Sequence, residues 1–247
     1  MPRRSMVRKI EAFQQLTDAE RDDVVALCCG VQAISRRRDI VSAGDKPTHV
    51  RVVLEGWAAR YALTDSGARR ITAFLLPGDF CDIHITSLNV MDHGIVALTD
   101  CRVGLIEKTA IDQITRSTPA LTLAFWRATL VDEAILRQWI VNAGRKNATQ
   151  HIAHLFCELQ ARLSLIGMAG ENDIIVPLTQ EEVADAAGLT NVHVNRTLRD
   201  LRERGLIEIT GSAVHIPNIA ALRREAEFDP TYLHLRDEGP TEQRAWR

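Results

Sequence analysis

The sequence predicts an α+β protein in three parts: an N-terminal β-roll of the double-stranded β-helix or jelly-roll kind, one long helix, and a C-terminal winged helix-turn-helix. Three observations predict it. Residues 31–106 are short apolar runs broken by Gly, Pro and Asp, the texture of strands and tight turns. Between Pro119 and Gly144 a single apolar-rich stretch runs without a breaker. Near the end, "LTQEEVADAAGLTNVHVNRTLRDLRERGLI" from Leu178 to Ile207 shows two helical periods around a glycine, followed by an alternating run.

In chain order, residues 10–29 repeat apolar side chains at helical spacing, with Thr17 and Glu20 placed as a capping box, and read as a short helical entry to the first domain. Val50–Leu54, Ala58–Leu63 and Ile71–Leu76 then read as strands, separated by turn signals at Glu55-Gly56, Asp65–Gly67 and Pro77-Gly78-Asp79. Pro119 suits the first turn of the long helix and Gly144 its C-cap, which predicts about 24 helical residues. Leu121, Phe125, Ala128, Ile135 and Trp139 fall along one face of it, and Leu123, Leu130, Ala134 and Val141 along another. A surface helix needs one apolar face, so two faces imply two partners: the β-roll and a second copy of the same helix. After it, "RKNATQHIAHLFCELQARLSLIG" reads as a further amphipathic helix and "NDIIVPL" as a short strand. "GLIEITGSAVHIPN" reads as a hairpin turned at Gly211-Ser212. The expected units are 1–117 (β-roll), 118–144 (long helix), 145–228 (winged helix) and 229–247, a charged and mobile tail.

Composition narrows the function classes. The 247 residues are 46% hydrophobic and 25% charged with a formal net charge of -2, so affinity for a polyanion has to come from local clustering. Four arginines between Leu178 and Ile207 are such a cluster. Five cysteines with no CxxC spacing, no signal-peptide pattern and no apolar run of about 18 residues point to a reducing cytoplasm and no membrane. None of the common nucleophile, nucleotide-loop or zinc-protease motifs is present, so an enzyme is not expected. Two rivals stay open: a β-roll enzyme using Asp92-His93, and a winged helix that binds protein rather than DNA.

Within the C-terminal stretch, Thr179 caps the first helix with Glu182, Ala184, Ala187 and Gly188 are small where two helices cross, and Leu189 is the buried residue of the turn. Thr190 caps the second helix, whose inward face is Val194, Leu198 and Leu201. Asn191, His193, Asn195, Arg196 and Arg199 remain outward, and these residue types match the donors and acceptors of base edges in the major groove. Thr179, Gln180 and the hairpin are the expected phosphate contacts.

The β-roll with "PGDF", the long helix and the C-terminal motif, in this order from about residue 10 to 225, resemble the Crp/Fnr family of bacterial transcription regulators. The resemblance implies a homodimer joined along the long helix and bound to double-stranded DNA, with RNA polymerase as a partner and a signal sensed in the N-terminal domain. Its recognition positions fall on Asn191, Val192 and Arg196. Many members carry Glu or another polar residue where this chain has Val192, so a thymine methyl contact and a different half-site are expected.

The sensor departs from the members that bind cyclic AMP. Ile83 stands at their ribose carboxylate position, and His93 and Gly94 at their phosphate Arg and Ser, so cyclic AMP is not expected. An iron–sulfur cluster is not expected either, because Cys28 and Cys29 are adjacent rather than spaced. Cys81, Asp82, His84, Asp92 and His93 gather near one corner of the roll and are the candidate effector-pocket residues. They could hold a metal, a haem or a small ligand. The alternative is a regulator that needs no effector, or one controlled by thiol redox at Cys28, Cys29 or Cys157.

Overall fold

The computed structural model describes residues 4–170 and 172–235, with the side chain of His84 outside the description. The N-terminal helical entry consists of two helices, α1 (Arg4–Glu11) and α2 (Asp18–Ala26). The expected capping box divides them: the Thr17 hydroxyl accepts from the Glu20 backbone N–H at 3.3 Å while Glu20 accepts from the Thr17 N–H at 2.8 Å. A residue in that extended cap conformation cannot continue a helix from residue 10. Phe13 and Leu16 in the break are buried instead.

Seven strands follow: β1 (Cys28–Ile34), β2 (Asp39–Val41), β3 (His49–Glu55), β4 (Ala58–Leu63), β5 (Arg69–Leu75), β6 (Gly94–Ala97) and β7 (Cys101–Glu107). They form two antiparallel sheets, ordered β1-β7-β3 and β2-β6-β4-β5. Val50, Val52, Leu54, Leu75, Ile95 and Ile106 fill the space between them. A Pro77-Gly78-Asp79 turn projects toward α1, and Gly78 has φ +99° with its α-carbon so close to α1 that an added Cβ would lie 2.6 Å from the Ser5 carbonyl. Only glycine fits there, on conformational and steric grounds together.

α3 (Lys108–Ser117) leads into α4 (Pro119–Arg145), with Pro119 in its first turn as expected. Gly144 is not the C-cap: it lies inside the last turn, and Lys146 caps the helix. The buried face of α4 is Leu121, Ala124, Phe125, Val131, Ala134, Ile135 and Trp139. Ala134, assigned from the sequence to the second face, therefore belongs to the first. Leu123, Trp126, Leu130, Leu136, Ile140 and Val141 stay exposed, Trp126 and Ile140 at 62% and 67%.

α5 (Ala148–Leu165) starts at a capping box between Asn147 and Gln150. It is not amphipathic: every residue from His151 to Leu163 is buried. β8 (Asp173–Ile175), α6 (Gln180–Ala187), α7 (Asn191–Glu203), β9 (Glu208–Thr210), β10 (Ala213–His215) and α8 (Ile219–Glu225) surround it, with a small sheet ordered β8-β10-β9. Helix α5 is thus the core of the C-terminal unit, which explains its all-round burial. That core continues into Trp57, Ile71 and Phe74 on the outer face of the β-roll, so the two units share packed surface.

The tail expected from Asp229 is folded at its start. Asp229 accepts from the Thr231 N–H at 2.9 Å and opens a 3-10 turn, Pro230–Leu233, in which Leu233 is buried. The remainder of the expected tail, residues 236–247, lies outside the described residues. Among the described residues no helix is long and apolar enough to cross a membrane.

Candidate nucleic-acid interface and sensor core

The helix pair α6–α7 is set by its caps and by one glycine. The Thr179 hydroxyl accepts from the Glu182 N–H at 3.2 Å and Glu182 accepts from the Thr179 N–H at 2.7 Å. Gly188 ends α6 in the left-handed conformation at φ +67°, and a Cβ there would run into the Arg70 guanidinium. Thr190 then caps α7 by accepting from the His193 N–H at 3.3 Å. Leu189, expected to be buried in the turn, is half-buried.

Helix α7 turns Val194, Thr197, Leu198 and Leu201 inward. Asn191, Val192, Asn195, Arg196 and Arg199 are exposed, and His193 is half-buried. Val192, at 81% exposed, is an apolar side chain left open to solvent among the described residues. No acidic residue sits in the first turn of α7, so its N–H groups keep their partial positive charge for a phosphate or base. The Asn195 amide donates to Gln180 Oε1 at 3.2 Å and ties the outward face of α7 to the start of α6. Thr179 is partly spent on its own cap, leaving only its hydroxyl hydrogen to donate. The four arginines divide by role. Arg204 pairs with Glu225 and Asp200 and anchors α7 to α8, whereas Arg196, Arg199 and Arg202 reach solvent, Arg199 beside Glu203 at 3.7 Å.

The four sensor candidates with described side chains, Cys81, Asp82, Asp92 and His93, do not converge, and the His84 side chain lies outside the description. Cys81 is fully buried, and burial pushes its thiol well above the usual range. Asp82 is fully buried and accepts from the Arg51 N–H at 2.6 Å and from its guanidinium at 3.0 Å. Burial raises the Asp82 carboxyl while Arg51 opposes the rise. Asp92 is exposed and stands 2.6 Å from His93 Nδ1. Among the described residues, no three of these side chains bring ligand atoms within 4.8 Å of one another. Cys81 and Asp82 lie in the connection after β5, Asp92 and His93 in the bend before β6, and the pair with Arg51 holds Asp82 inward while Asp92 reaches solvent. At Gly94, an added side chain would collide with the Tyr61 ring, whose hydroxyl donates to Asp39 at 2.9 Å. Of the three proposed switch cysteines, Cys28 and Cys157 are buried and Cys29 is exposed; burial pushes the Cys157 thiol up to about 12.

Sequence reading missed the buried polar chain that joins the parts. Arg60, on β4, donates to the Phe80 carbonyl at 2.9 Å and pairs with Asp132 of α4 at 2.6 Å. Lys9 of α1 pairs with Asp79 at 2.7 Å, and Asp79 with Arg162 of α5 at 2.8 Å. Arg162 also pairs with Glu158 at 3.2 Å, and Glu158 accepts from Trp139 Nε1 at 3.0 Å and the Tyr232 hydroxyl at 2.8 Å. Tyr232 lies 3.0 Å from His154 Nε2, and Lys146 donates to His154 Nδ1 at 2.7 Å. Burial alone would raise the Asp79 carboxyl, but Lys9 and Arg162 hold it down to about 2. One signal existed in the sequence: Glu158 and Arg162 stand four apart, opposite charges at the spacing of a helical pair. Helix α6 is also docked on the roll, through Arg69–Asp185 at 2.7 Å beside a cleft of about 450 Å³ lined by Arg37, Glu181 and Glu182.

Comparison with known proteins finds two domain families in this chain. A cyclic nucleotide-binding domain matches residues 31–118, and a Crp-like helix-turn-helix domain matches residues 150–225. The transcriptional activator protein FnrL of Cereibacter sphaeroides is 29% identical over 194 residues, covering 77% of each chain. The nitrogen fixation regulation protein FixK of Azorhizobium caulinodans is 25% identical over 221 residues, covering 89% of this chain and 87% of that one. The structure of FixK2 from Bradyrhizobium japonicum matches in fold with a TM-score of 0.72 at 22% identity, over 79% of this chain and 96% of that one.

Proposed function

The chain belongs to the Crp/Fnr family of DNA-binding transcription regulators, and from that premise we propose that it acts as a cytoplasmic homodimer on a near-palindromic operator, with RNA polymerase as a further partner and no enzymatic step of its own. The observation that carries the reading is the composition of α7. Its inward residues complete the core while Asn191, Val192, Asn195, Arg196 and Arg199 are held outward on a capped, anchored helix. Arg196 supplies a bidentate guanine contact, Asn191 or Asn195 an adenine contact, and Val192 a surface for a thymine methyl. His193, Thr190, Thr179 and Gln180 lie at the flank, where backbone phosphates pass.

The second copy packs on the exposed apolar face of α4, and the two α7 helices then enter successive major grooves about 34 Å apart. A signal in the β-roll reaches α4 through Arg60, which holds the Phe80 carbonyl with one nitrogen and Asp132 with another. The signal is not a cyclic nucleotide held in the usual way. Ile83, His93 and Gly94 offer no carboxylate for a ribose and no guanidinium for a phosphate, and the Tyr61 ring takes the space beside Gly94.

Selection of bound sequences from a random duplex library, with the full chain, tests this reading. A near-palindromic site should emerge, with affinity that falls steeply as salt rises. Arg196→Ala should lower affinity for that site by at least tenfold, relax the preference at one base pair and leave the dimer intact. A dimer lost together with binding would show that Arg196 belongs to the scaffold rather than to the DNA contact.

A further inference from the structure

One end of the β1-β7-β3 sheet carries three side chains that DNA reading and dimerisation do not use. Directly opposed residues in an antiparallel ladder share a face, and His49 of β3 stands opposite Glu107 of β7. On the other flank of β7, Cys28 pairs with Ile106 and Gly30 with Leu105, so Cys29 is the extra residue of a bulge. The bulge leaves Cys29 exposed while Cys28 is buried. The Cys29 thiol, a ring nitrogen of His49 and a carboxylate oxygen of Glu107 consequently lie within 4.8 Å of one another. We propose that Cys29, His49 and Glu107 form a binding site for divalent zinc or a chemically similar transition metal, with a fourth position open to water.

The donor set suits such an ion. Thiolate, imidazole and carboxylate are the three ligand types zinc takes, at bond lengths of about 2.0–2.3 Å, which place tetrahedral ligand atoms roughly 3.5 Å apart. Small rotations about side-chain bonds close the difference from the spacing seen here. Neighbouring hydroxyls orient two of the ligands: Thr48 Oγ1 lies 2.9 Å from His49 Nδ1, and Thr109 donates to Glu107 at 3.3 Å. The thiol now donates to the Leu105 carbonyl at 3.3 Å. On binding, the Cys29 proton passes to solvent and the sulfur–metal bond replaces that weak contact. Glu107 is the N-cap residue of α3 but makes no side-chain cap bond, so coordination removes no helix contact. Each ligand comes from a different strand, and the ion therefore ties all three together where β7 passes into α3.

The test uses the full, untagged chain freed of metal, titrated separately with cobalt(II) and zinc. The expected result is one equivalent bound, a thiolate-to-cobalt charge-transfer band, a raised melting temperature, and protection by zinc of one fast-alkylating thiol. Cys29→Ser should abolish the band, and His49→Ala and Glu107→Gln should each weaken binding at least tenfold, with the melting of the metal-free variants unchanged. Metal binding that persists in both Cys29→Ser and His49→Ala would overturn the site. So would a wild-type chain whose exposed thiol alkylates equally fast with and without zinc. Because the readouts are metal stoichiometry and thiol protection, they stand apart from DNA binding.

Discussion

Arg162 is fully enclosed and shared between Asp79, Glu158 and the Phe74 carbonyl, so its removal strands two buried carboxylates. Breaking a buried ion pair from one side costs about 3–5 kcal/mol, because the remaining charge keeps its desolvation cost. Arg162→Leu is therefore expected to destabilise the chain by about that amount, seen as a lower urea midpoint with an unchanged slope. A change below about 1 kcal/mol would mean that Lys9 and the Trp139 and Tyr232 donors suffice for the carboxylates. At this scale the residues legible in the sequence are the ones whose partners lie three positions away: Thr17 with Glu20, Thr179 with Glu182, Thr190 with the His193 N–H. Asp82 was read as a pocket ligand because its partner, Arg51, is on β3, 31 positions away.

The long helix α4 shows what periodicity can and cannot reveal about an element. Its existence, its proline start and its two apolar faces were legible, since each depends on spacing alone. Their phase was legible as well except at Ala134, which turns inward, and Trp126, assigned to neither face, is outward, because the roll and α5 decide which side is covered. Gly144 failed as a cap because the helix extends one residue further and stops at Lys146, whose amine is drawn to the Ala226 carbonyl at 2.6 Å. The exposed face of Leu123, Trp126, Leu130 and Ile140 belongs to the second copy in the proposed dimer. Leu130→Glu should then shift the chain toward monomer by at least tenfold in dissociation constant, measured by sedimentation equilibrium, without lowering the monomer's melting temperature. A dimer of unchanged affinity would place the interface elsewhere.

Across the whole molecule, the interior histidines couple stability to acidity. Burial, then Arg70 and Lys146, lowers His151 from 6.5 to about 4, and burial, then Lys146 and His151, lowers His154 to about 3. A base with a depressed folded value binds fewer protons folded than unfolded. Its contribution is intact above pH 6.5 and is lost as pH falls toward the folded value, about 3 kcal/mol for a shift of this size. Asp79 adds to the loss only below its ordinary 3.8, down to about 2. The melting temperature should thus fall steadily from pH 6.5 to 4.5, and His151→Asn should flatten that fall. An equal slope in the variant would assign the acid sensitivity to other groups.

The sequence by itself determined the order of the main elements, the N-caps at Thr17, Thr179 and Thr190 and the outward chemistry of α7, because each is written within one or two helical turns of chain. Only the tertiary structure decided that α5 is a buried core, that residues 229–235 pack, that Arg60 and Arg162 tie the roll to the helices, and that a bulge brings Cys29 beside His49 and Glu107. These depend on contacts between residues far apart in the chain, whose pairing is set by which surfaces bury together and by where each buried charge finds its partner.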